Sequence, residues 1–354
     1  MLRTHRRRRP VTGGSLAAIG LMLLALLGPP PLAATDLNTL LDQAEQLRPL
    51  QTVIVAQEGR IIAERGYRGH ATTEPTNIKS ASKTVVSALV GIAIDKGVLE
   101  GTDQRVAELL ESDLPASPDP RLRQLTVGHL LSMQAGLGST SGRHYGAWVA
   151  SRNWVRAALA RPFEDEPGGS MIYSTGSTHL LSAILTRATG QSTLQLARRW
   201  LGPLEGFDIT AWTRDPQGIY LGGNQMAMTP RSLLAFGELY RRGGVTASGE
   251  RVLSEGRIEA SWTPRSRSRY TGHGYGYGWF ITALQGEPVR YGWGYGGQMV
   301  YVLPGLDMTV VMTSDPQQPS GGAPGHRDAL HRLLGDIITA VRADRPAKLD
   351  PAES

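Results

Sequence analysis

The chain has 354 residues and no cysteine, which excludes disulfides, a thiol nucleophile and a zinc–thiolate site. Its formal net charge of +6 at pH 7 arises mostly in residues 1–34, which hold five arginines and no acid; without them the count is 37 − 5 = 32 basic against 31 acidic residues. We therefore infer no nucleic-acid partner, and the scattered histidines and absent cofactor motifs lead us to expect neither a metal nor a cofactor.

The first 34 residues have the composition of a secretory signal. Arginines crowd the first nine positions, an uncharged leucine-rich run extends from Ser15 to Gly28, and Pro29 to Ala34 are prolines and small residues. We predict that residues 1–34 are a signal peptide whose removal leaves an exported protein, periplasmic or secreted, without a stable membrane span. A retained N-terminal anchor is the alternative, and the arginines do not decide between the Sec and twin-arginine routes.

Both ends of the remaining chain predict a sheet with covering helices. Apolar residues on one face predict a short helix over 36–46, and two β-branched runs around Glu58-Gly59 predict a hairpin of strands 52–56 and 60–66. Further strands and a last amphipathic helix are predicted near the other end: Tyr277–Ala283, Val289–Trp293, Met299–Val302, Met308–Thr313 and the helix His326–Val341.

The middle of the chain has a different character. Helical patterns occur near 124–134, 146–160, 177–189, 192–201 and 230–242, and no strand is predicted between residues 101 and 256. We predict an α+β fold in one domain, residues 35–343, with one antiparallel sheet built from both chain ends and flanked by helices. Its α/β part comprises about 35–100 and 257–343, a helical part of about 101–256 is inserted, and 344–354 form a flexible tail.

A helix predicted to begin at Ser80 carries the first chemical signal. Apolar residues recur at helical spacing after it, Ser80 suits the N-cap and Gly97 suits the C′ position. Residues three apart share a helix face, so the Ser80 hydroxyl should lie within reach of the Lys83 amine. A serine beside a lysine is a nucleophile beside a base, provided that burial or a neighbouring cation lowers the pKa of the lysine.

The alternative is that Ser80 only caps the helix and that Lys83 is a solvated residue of its first turn. Only four residues of the chain are lysines, so a chance serine-x-x-lysine match is less frequent here than in a lysine-rich protein. The helix behind the pair is also as apolar as a central buried helix should be, which favours the chemical interpretation.

Two glycine-rich stretches hold further candidates. In Gly169–Gly176, Tyr173 precedes a predicted helix and its phenol could carry a proton, although a buried aromatic under a loop is the alternative. In Tyr291–Val300, alternate glycines weaken a strand and allow close approach to its backbone. The N–H of Gln298 could then be an oxyanion donor, and the alternative is a β-bulge or a packed crossing.

Taken in chain order, these motifs resemble the serine β-lactamase and penicillin-binding protein superfamily, specifically its class C-like branch. That branch includes esterases, D-aminopeptidases and aminohexanoate-oligomer hydrolases. The resemblance covers nearly all of the chain after residue 34 and implies a β-lactamase-like fold. The segments that carry it are Ser80-Ala81-Ser82-Lys83, Ala93–Leu99, Leu125–Leu137, Tyr173-Ser174-Thr175 and Met228–Arg231.

The resemblance implies a role for each candidate. Ser80 would attack an ester or amide carbonyl, with Lys83 and Tyr173 sharing the proton transfers. Backbone N–H groups of Ser80 and Gln298 would hold the oxyanion, and water would release the acyl-enzyme. The substrate-binding residues would be Thr175, Trp293, Tyr295, Gly296 and Gly297, with Tyr145 and Trp148 in addition.

Two departures from the family pattern bear on the substrate. Thr175 replaces an asparagine or serine and cannot present an amide. Tyr295-Gly296-Gly297 occupies the position of a lysine- or histidine-threonine-glycine triplet, so the cation that helps to hold a substrate carboxylate is absent. We therefore expect an exported serine hydrolase acting on a small-molecule ester or amide. A β-lactamase or penicillin-recognising D-Ala peptidase is one alternative, and a non-catalytic binder of peptidoglycan fragments is another, which the intact Ser80, Lys83 and Tyr173 disfavour.

Overall fold

The computed structural model describes residues 36–319 and 325–344, so the predicted signal peptide and all of the predicted tail except Asp344 lie outside the described residues. The helices are α1 (Leu37–Gln43), α2 (Ser82–Asp95), α3 (Val106–Leu109), α4 (Val127–Leu131), α5 (Tyr145–Val149), α6 (Trp154–Leu159), α7 (Thr175–Thr189), α8 (Thr193–Trp200), α9 (Pro230–Arg241), α10 (Glu255–Trp262) and α11 (His326–Asp344). The strands are β1 (Leu50–Gln57), β2 (Arg60–Gly66), β3 (Thr76–Asn77), β4 (Ala211–Trp212), β5 (Met226–Met228), β6 (Ser266–Arg267), β7 (Gly274–Tyr275), β8 (Phe280–Leu284), β9 (Glu287–Gly294), β10 (Gln298–Leu303) and β11 (Met308–Ser314).

The main sheet joins the two ends of the chain. Its eight strands follow the order β2-β1-β11-β10-β9-β8-β7-β6, and β1 pairs antiparallel with β11. The turn between β1 and β2 places Glu58 at φ 51° and Gly59 at φ 81°, the pair of positive φ values that a tight two-residue hairpin needs. The predicted α+β class and the sheet built from both chain ends are confirmed.

The two faces of this sheet support two hydrophobic cores. Because side chains alternate along a strand, Ile54 and Ala56 of β1 join the core that contains α2 and α9, whereas Val53 and Val55 join the core beneath α1 and α11. The sheet is therefore a middle layer, with α2 buried on one side of it. Among the described residues, no helix is both long enough and apolar enough to cross a bilayer.

A second, three-stranded sheet takes two of its strands, β4 and β5, from the region that was predicted to contain helices only. Its order is β3-β5-β4, and Thr76 and Asn77 of β3 pair with Met228 and Ala227 of β5. Strands of two or three residues are too short for a periodic signal, so the sequence did not predict them. The small sheet matters because β3 leads directly into the segment that carries Ser80.

Candidate active site

Ser80 lies in a 3-10 turn, Lys79–Ala81, and α2 begins only at Ser82. The prediction that Ser80 caps the helix is therefore wrong: the side chain of Asn77 accepts the Lys79 N–H at 2.9 Å instead. The chain enters the turn through Lys79 at φ 50°, a sparsely populated conformation for a residue other than glycine. Strain of this kind is often found at functional sites, and here it directly precedes the serine.

Lys83 is 2 % exposed and its amine contacts three oxygens. The distances from Nζ are 3.1 Å to Ser80 Oγ, 3.3 Å to Thr175 Oγ1 and 2.6 Å to the Gly223 carbonyl oxygen. Burial lowers the pKa of Lys83 from 10.5 to about 7, because the charged form is deprived of water. Near neutral pH a large fraction of Lys83 is therefore the uncharged amine, which can accept a proton.

The three contacts orient the Lys83 amine. An uncharged amine has two N–H groups and one lone pair, and the Gly223 carbonyl can only accept, so it takes one N–H. The Thr175 hydroxyl lies in position to take the second, and it is itself placed by Ser141, whose Oγ is 3.0 Å away. The lone pair is then left for the Ser80 hydroxyl, which is the arrangement a general base requires.

Tyr173 flanks the same pair. Its ring packs on Phe280 at 6.4 Å between centroids, its carbonyl accepts from Ser139 at 2.7 Å, and Lys83 Nζ lies 5.1 Å from its ring centre. Burial raises the pKa of Tyr173 to about 12, against a smaller lowering by a hydrogen bond with Ser80. At neutral pH this phenol is protonated, so it is a proton donor rather than a phenolate base.

The glycine-rich end of β9 packs directly against the nucleophile segment. A Cβ added to Gly294 would lie 2.2 Å from the Ile78 carbonyl oxygen, so only glycine permits this approach. Residues 295–297 form the turn into β10, where Tyr295 is 52 % exposed. Gln298 is fully buried, and its side-chain amide both donates to and accepts from the Ser314 backbone, at 2.7 and 3.3 Å.

Gly296 and Gly297, the other two predicted substrate-binding positions in this turn, both have positive φ, at 88° and 103°. Their backbone packs against the end of β11: an added Cβ would lie 2.5 Å from the Asp315 carbonyl oxygen at Gly296 and 2.9 Å from Ser314 Oγ at Gly297. The two glycines therefore let the turn fold tightly beneath the exposed Tyr295.

The predicted pocket aromatics differ in how much surface they offer. Trp293 is half-buried on Phe280, and the guanidinium of Arg327 from α11 lies 5.2 Å from its ring. Trp148 is 5 % exposed and its indole N–H donates to a backbone carbonyl, so little of it is open to a substrate. Tyr145 packs on its edge and is half-buried.

The groups that contact Lys83 from the side opposite Ser80 are hard to recognise in the sequence. The Gly223 carbonyl is the shortest contact of the amine, yet Gly222-Gly223 is an ordinary loop pattern in the sequence. A Cβ added to Gly223 would lie 2.5 Å from Lys83 Cγ, so a glycine pair was the one available signal. Ser141 was not predicted as a site residue either, because a single serine in a polar loop belongs to no recognisable motif.

Comparison with known proteins identifies the family of this chain. A family profile described as Beta-lactamase matches residues 41–334. The chain belongs to this family. A curated relative, the 6-aminohexanoate-dimer hydrolase of Paenarthrobacter ureafaciens, is 25% identical over 287 residues, which cover 75% of this chain and 72% of the relative. The chain is accordingly a serine hydrolase of the beta-lactamase family.

Solved structures confirm the beta-lactamase fold. A Bacillus anthracis protein, provisionally assigned as a 6-aminohexanoate-dimer hydrolase, matches with a TM-score of 0.69 at 19% identity, covering 87% of this chain and 82% of that one. A D-stereospecific amidohydrolase from Streptomyces sp. matches with a TM-score of 0.64 at 17% identity, covering 83% and 98%. The superfamily resemblance inferred from the motifs is confirmed.

Proposed function

We propose that this protein cleaves a small ester or amide through an acyl-enzyme on Ser80. The observation that carries the proposal is the 3.1 Å contact between Ser80 Oγ and the buried Lys83 amine, whose pKa of about 7 leaves it partly unprotonated at neutral pH. A serine becomes a competent nucleophile when such a base removes its proton. The relative named for 6-aminohexanoate dimers supports an amide as the first substrate to test.

The acylation step follows from the orientation of the groups. Ser80 Oγ bonds to the carbonyl carbon as its proton moves to Lys83 Nζ, and the carbonyl π electrons move onto oxygen. The tetrahedral intermediate collapses when the bond to the leaving group breaks. The leaving group takes a proton from Tyr173, which regains one from the Lys83 ammonium.

The oxyanion needs two N–H donors in this scheme. Ser80 supplies the first, since early N–H groups of a helical turn have no acceptor within it. Gln298 is the second donor predicted from the sequence. Because Gly294 packs directly on Ile78, the N–H of Tyr295 is a further candidate for the same role.

Deacylation uses the same groups in reverse. A water molecule gives a proton to the uncharged Lys83 amine as its oxygen bonds to the acyl carbon. The bond from that carbon to Ser80 Oγ then breaks, and the serine oxygen recovers a proton from the Lys83 ammonium. The enzyme returns to its starting protonation state, and one water is consumed for each ester or amide cleaved.

A panel of substrates tests this function on the purified protein without residues 1–34. We expect turnover of short-chain nitrophenyl esters or of a 6-aminohexanoate dimer, and much weaker turnover of a chromogenic cephalosporin and of D-alanyl peptides. The reverse ranking would support the β-lactamase or peptidase alternative. Ser80→Ala should fold and lose turnover, and a variant as active as the parent would disprove the nucleophile assignment.

Export is part of the same proposal, and residues 1–34 carry it. Expression of the full chain in a bacterial host should yield a periplasmic or secreted protein whose N-terminus begins after about Ala34, as read by mass spectrometry. Recovery of a chain with its intact N-terminus from the membrane fraction would instead establish a retained anchor and contradict the signal peptide.

A further inference from the structure

The Gly223 carbonyl that contacts Lys83 lies at the end of a hairpin, residues 213–223, which packs on α7. Its arms pair between Arg214 and Tyr220. Ser182 of α7 donates to the Tyr220 carbonyl at 2.7 Å. His179, one turn earlier on the same helix face, contacts both arms of the hairpin.

His179 links the two arms with its two ring nitrogens. Nε2 lies 3.1 Å from Asp215 Oδ2 in the first arm, and the Gly222 N–H in the second arm donates to Nδ1 at 3.3 Å. Neither the His179 nor the Asp215 side chain has any exposed surface. Because Nδ1 accepts, the ring proton must be on Nε2, where it donates to the carboxylate.

The Asp215 carboxylate is itself held in place. Its Oδ1 accepts the N–H groups of Gln217 and Ile219 at 2.8 and 2.9 Å, which leaves Oδ2 for His179. The hydrogen bonds therefore run from these backbone groups through Asp215 and His179 to Gly222. The next residue is Gly223, whose carbonyl accepts from Lys83.

The geometry points to His179 and Asp215 as positioning residues that hold the Gly223 carbonyl on the Lys83 amine, an inference that rests on the proposed function. Neither residue touches the reacting atoms. Asp215 fixes the His179 tautomer, and the tautomer fixes the Gly222 N–H. The next residue, Gly223, is thereby held with its carbonyl oxygen on Lys83. The alternative is that His179 only fills space between Trp148 and Trp154, whose rings lie 5.6 and 5.8 Å from it.

Asp215→Asn distinguishes a positioning role of His179 from a space-filling role, because asparagine has nearly the same shape as aspartate. The amide oxygen keeps the two backbone N–H groups, so its NH₂ faces His179 and forces the ring proton onto Nδ1, against the Gly222 N–H. We expect the maximal rate of Ser80 labelling by a fluorophosphonate to fall about 10- to 100-fold, a typical range for losing a group that orients an active-site residue, with the probe's half-saturation concentration unchanged.

The double variant Asp215→Asn/His179→Asn supplies the decisive comparison. The oxygen of the shorter amide can accept the Gly222 N–H again, and no charged carboxylate is left unpaired, so the labelling rate should recover to within about threefold of the parent. If His179 only filled space, the double variant would label more slowly than Asp215→Asn. Either that result, or Asp215→Asn labelling within threefold of the parent, would overturn the inference.

Two controls accompany this test. Ser182→Ala removes a different hydrogen bond between α7 and the hairpin and should leave the labelling rate within about threefold of the parent. A parent that is not labelled at Ser80 would refute the proposed function rather than this inference. Nitrogen-15 NMR of histidine-labelled parent, assigned by the signal lost in His179→Asn, should show an unprotonated Nδ1. A protonated Nδ1 would overturn the inference even if the other variants failed to fold.

Discussion

Lys83 is held from two sides, and the two sides differ in how far along the chain their residues lie. Ser80 is three residues away on the same turn, whereas Gly223 lies 140 residues away. The near side supplies the nucleophile and follows from a short motif. The far side supplies the shortest hydrogen bond of the amine, and it follows from tertiary structure alone. A motif therefore identifies the chemical groups, and the fold determines the pKa and the direction of the lone pair.

Lys83→Met removes the amine that contacts both sides, so it should have the largest effect on turnover. The substituted side chain is apolar and of similar length, so the buried site should stay filled while the base is lost. We expect turnover of the best substrate in the panel to fall by about 10³-fold or more. Turnover within tenfold of the parent would show that another group removes the Ser80 proton.

Tyr173→Phe tests the group that flanks the pair. The ring keeps its packing on Phe280, but no proton can pass to the leaving group, so kcat should fall by about 10²-fold or more with KM little changed. Steady-state kinetics on an ester with a good leaving group provides the control, because such a leaving group needs little protonation and should lose much less rate. Equal losses for good and poor leaving groups would contradict the proton-donor role.

Tyr295→Lys tests how the site selects its substrate. It restores a cation to the triplet position, and charge-assisted hydrogen bonds contribute about 1.5–3 kcal/mol. We expect the ratio of kcat/KM for matched carboxylate-bearing and neutral substrates to rise by about 10- to 150-fold. A carboxylate preference in the parent that this substitution leaves unchanged, but Arg327→Gln removes, would show that α11 already supplies the cation.

The last of these predictions concerns stability rather than turnover. Burial lowers the folded-state pKa of Lys83 to about 7, so between pH 7 and 10 the unfolded chain binds a proton that the folded chain does not. The parent should therefore gain stability relative to Lys83→Met as pH rises through this window, by up to about 4 kcal/mol. Denaturant unfolding of both proteins at pH 7 and pH 10 measures this, and a constant difference would show that the amine is not desolvated.

Much of the fold was predictable because its signals are local. Gly97, expected at the end of α2, has φ 69°, and the Val98 N–H bonds to the Ala93 carbonyl at 2.8 Å, as a glycine-terminated helix requires. Runs of strand-forming residues likewise predicted six of the eight strands of the main sheet, whereas β6 and β7, of two residues each, are too short to give such a signal. Ser80 was misplaced as a cap because a 3-10 turn precedes α2 and the Asn77 side chain accepts the Lys79 N–H at its start, which propensity does not reveal.

The candidate site was predictable only where its residues form motifs. Ser80, Lys83 and Tyr173 lie in recognisable segments, and the structure brings their side chains together. Gly223, His179 and Asp215 lie in no motif, since their relation depends on a hairpin docking on α7. A close approach of backbone to side chain is visible in a sequence only as an unexplained glycine.

The most direct test of the central claim is the pH dependence of fluorophosphonate labelling in the parent, with the modified residue mapped by mass spectrometry. Lys83 must be uncharged to accept the serine proton, so the second-order rate of labelling at Ser80 should rise with pH through about 7 and then level off. Labelling at another serine, or a rate at Ser80 that does not change between pH 5 and 9, would contradict the account.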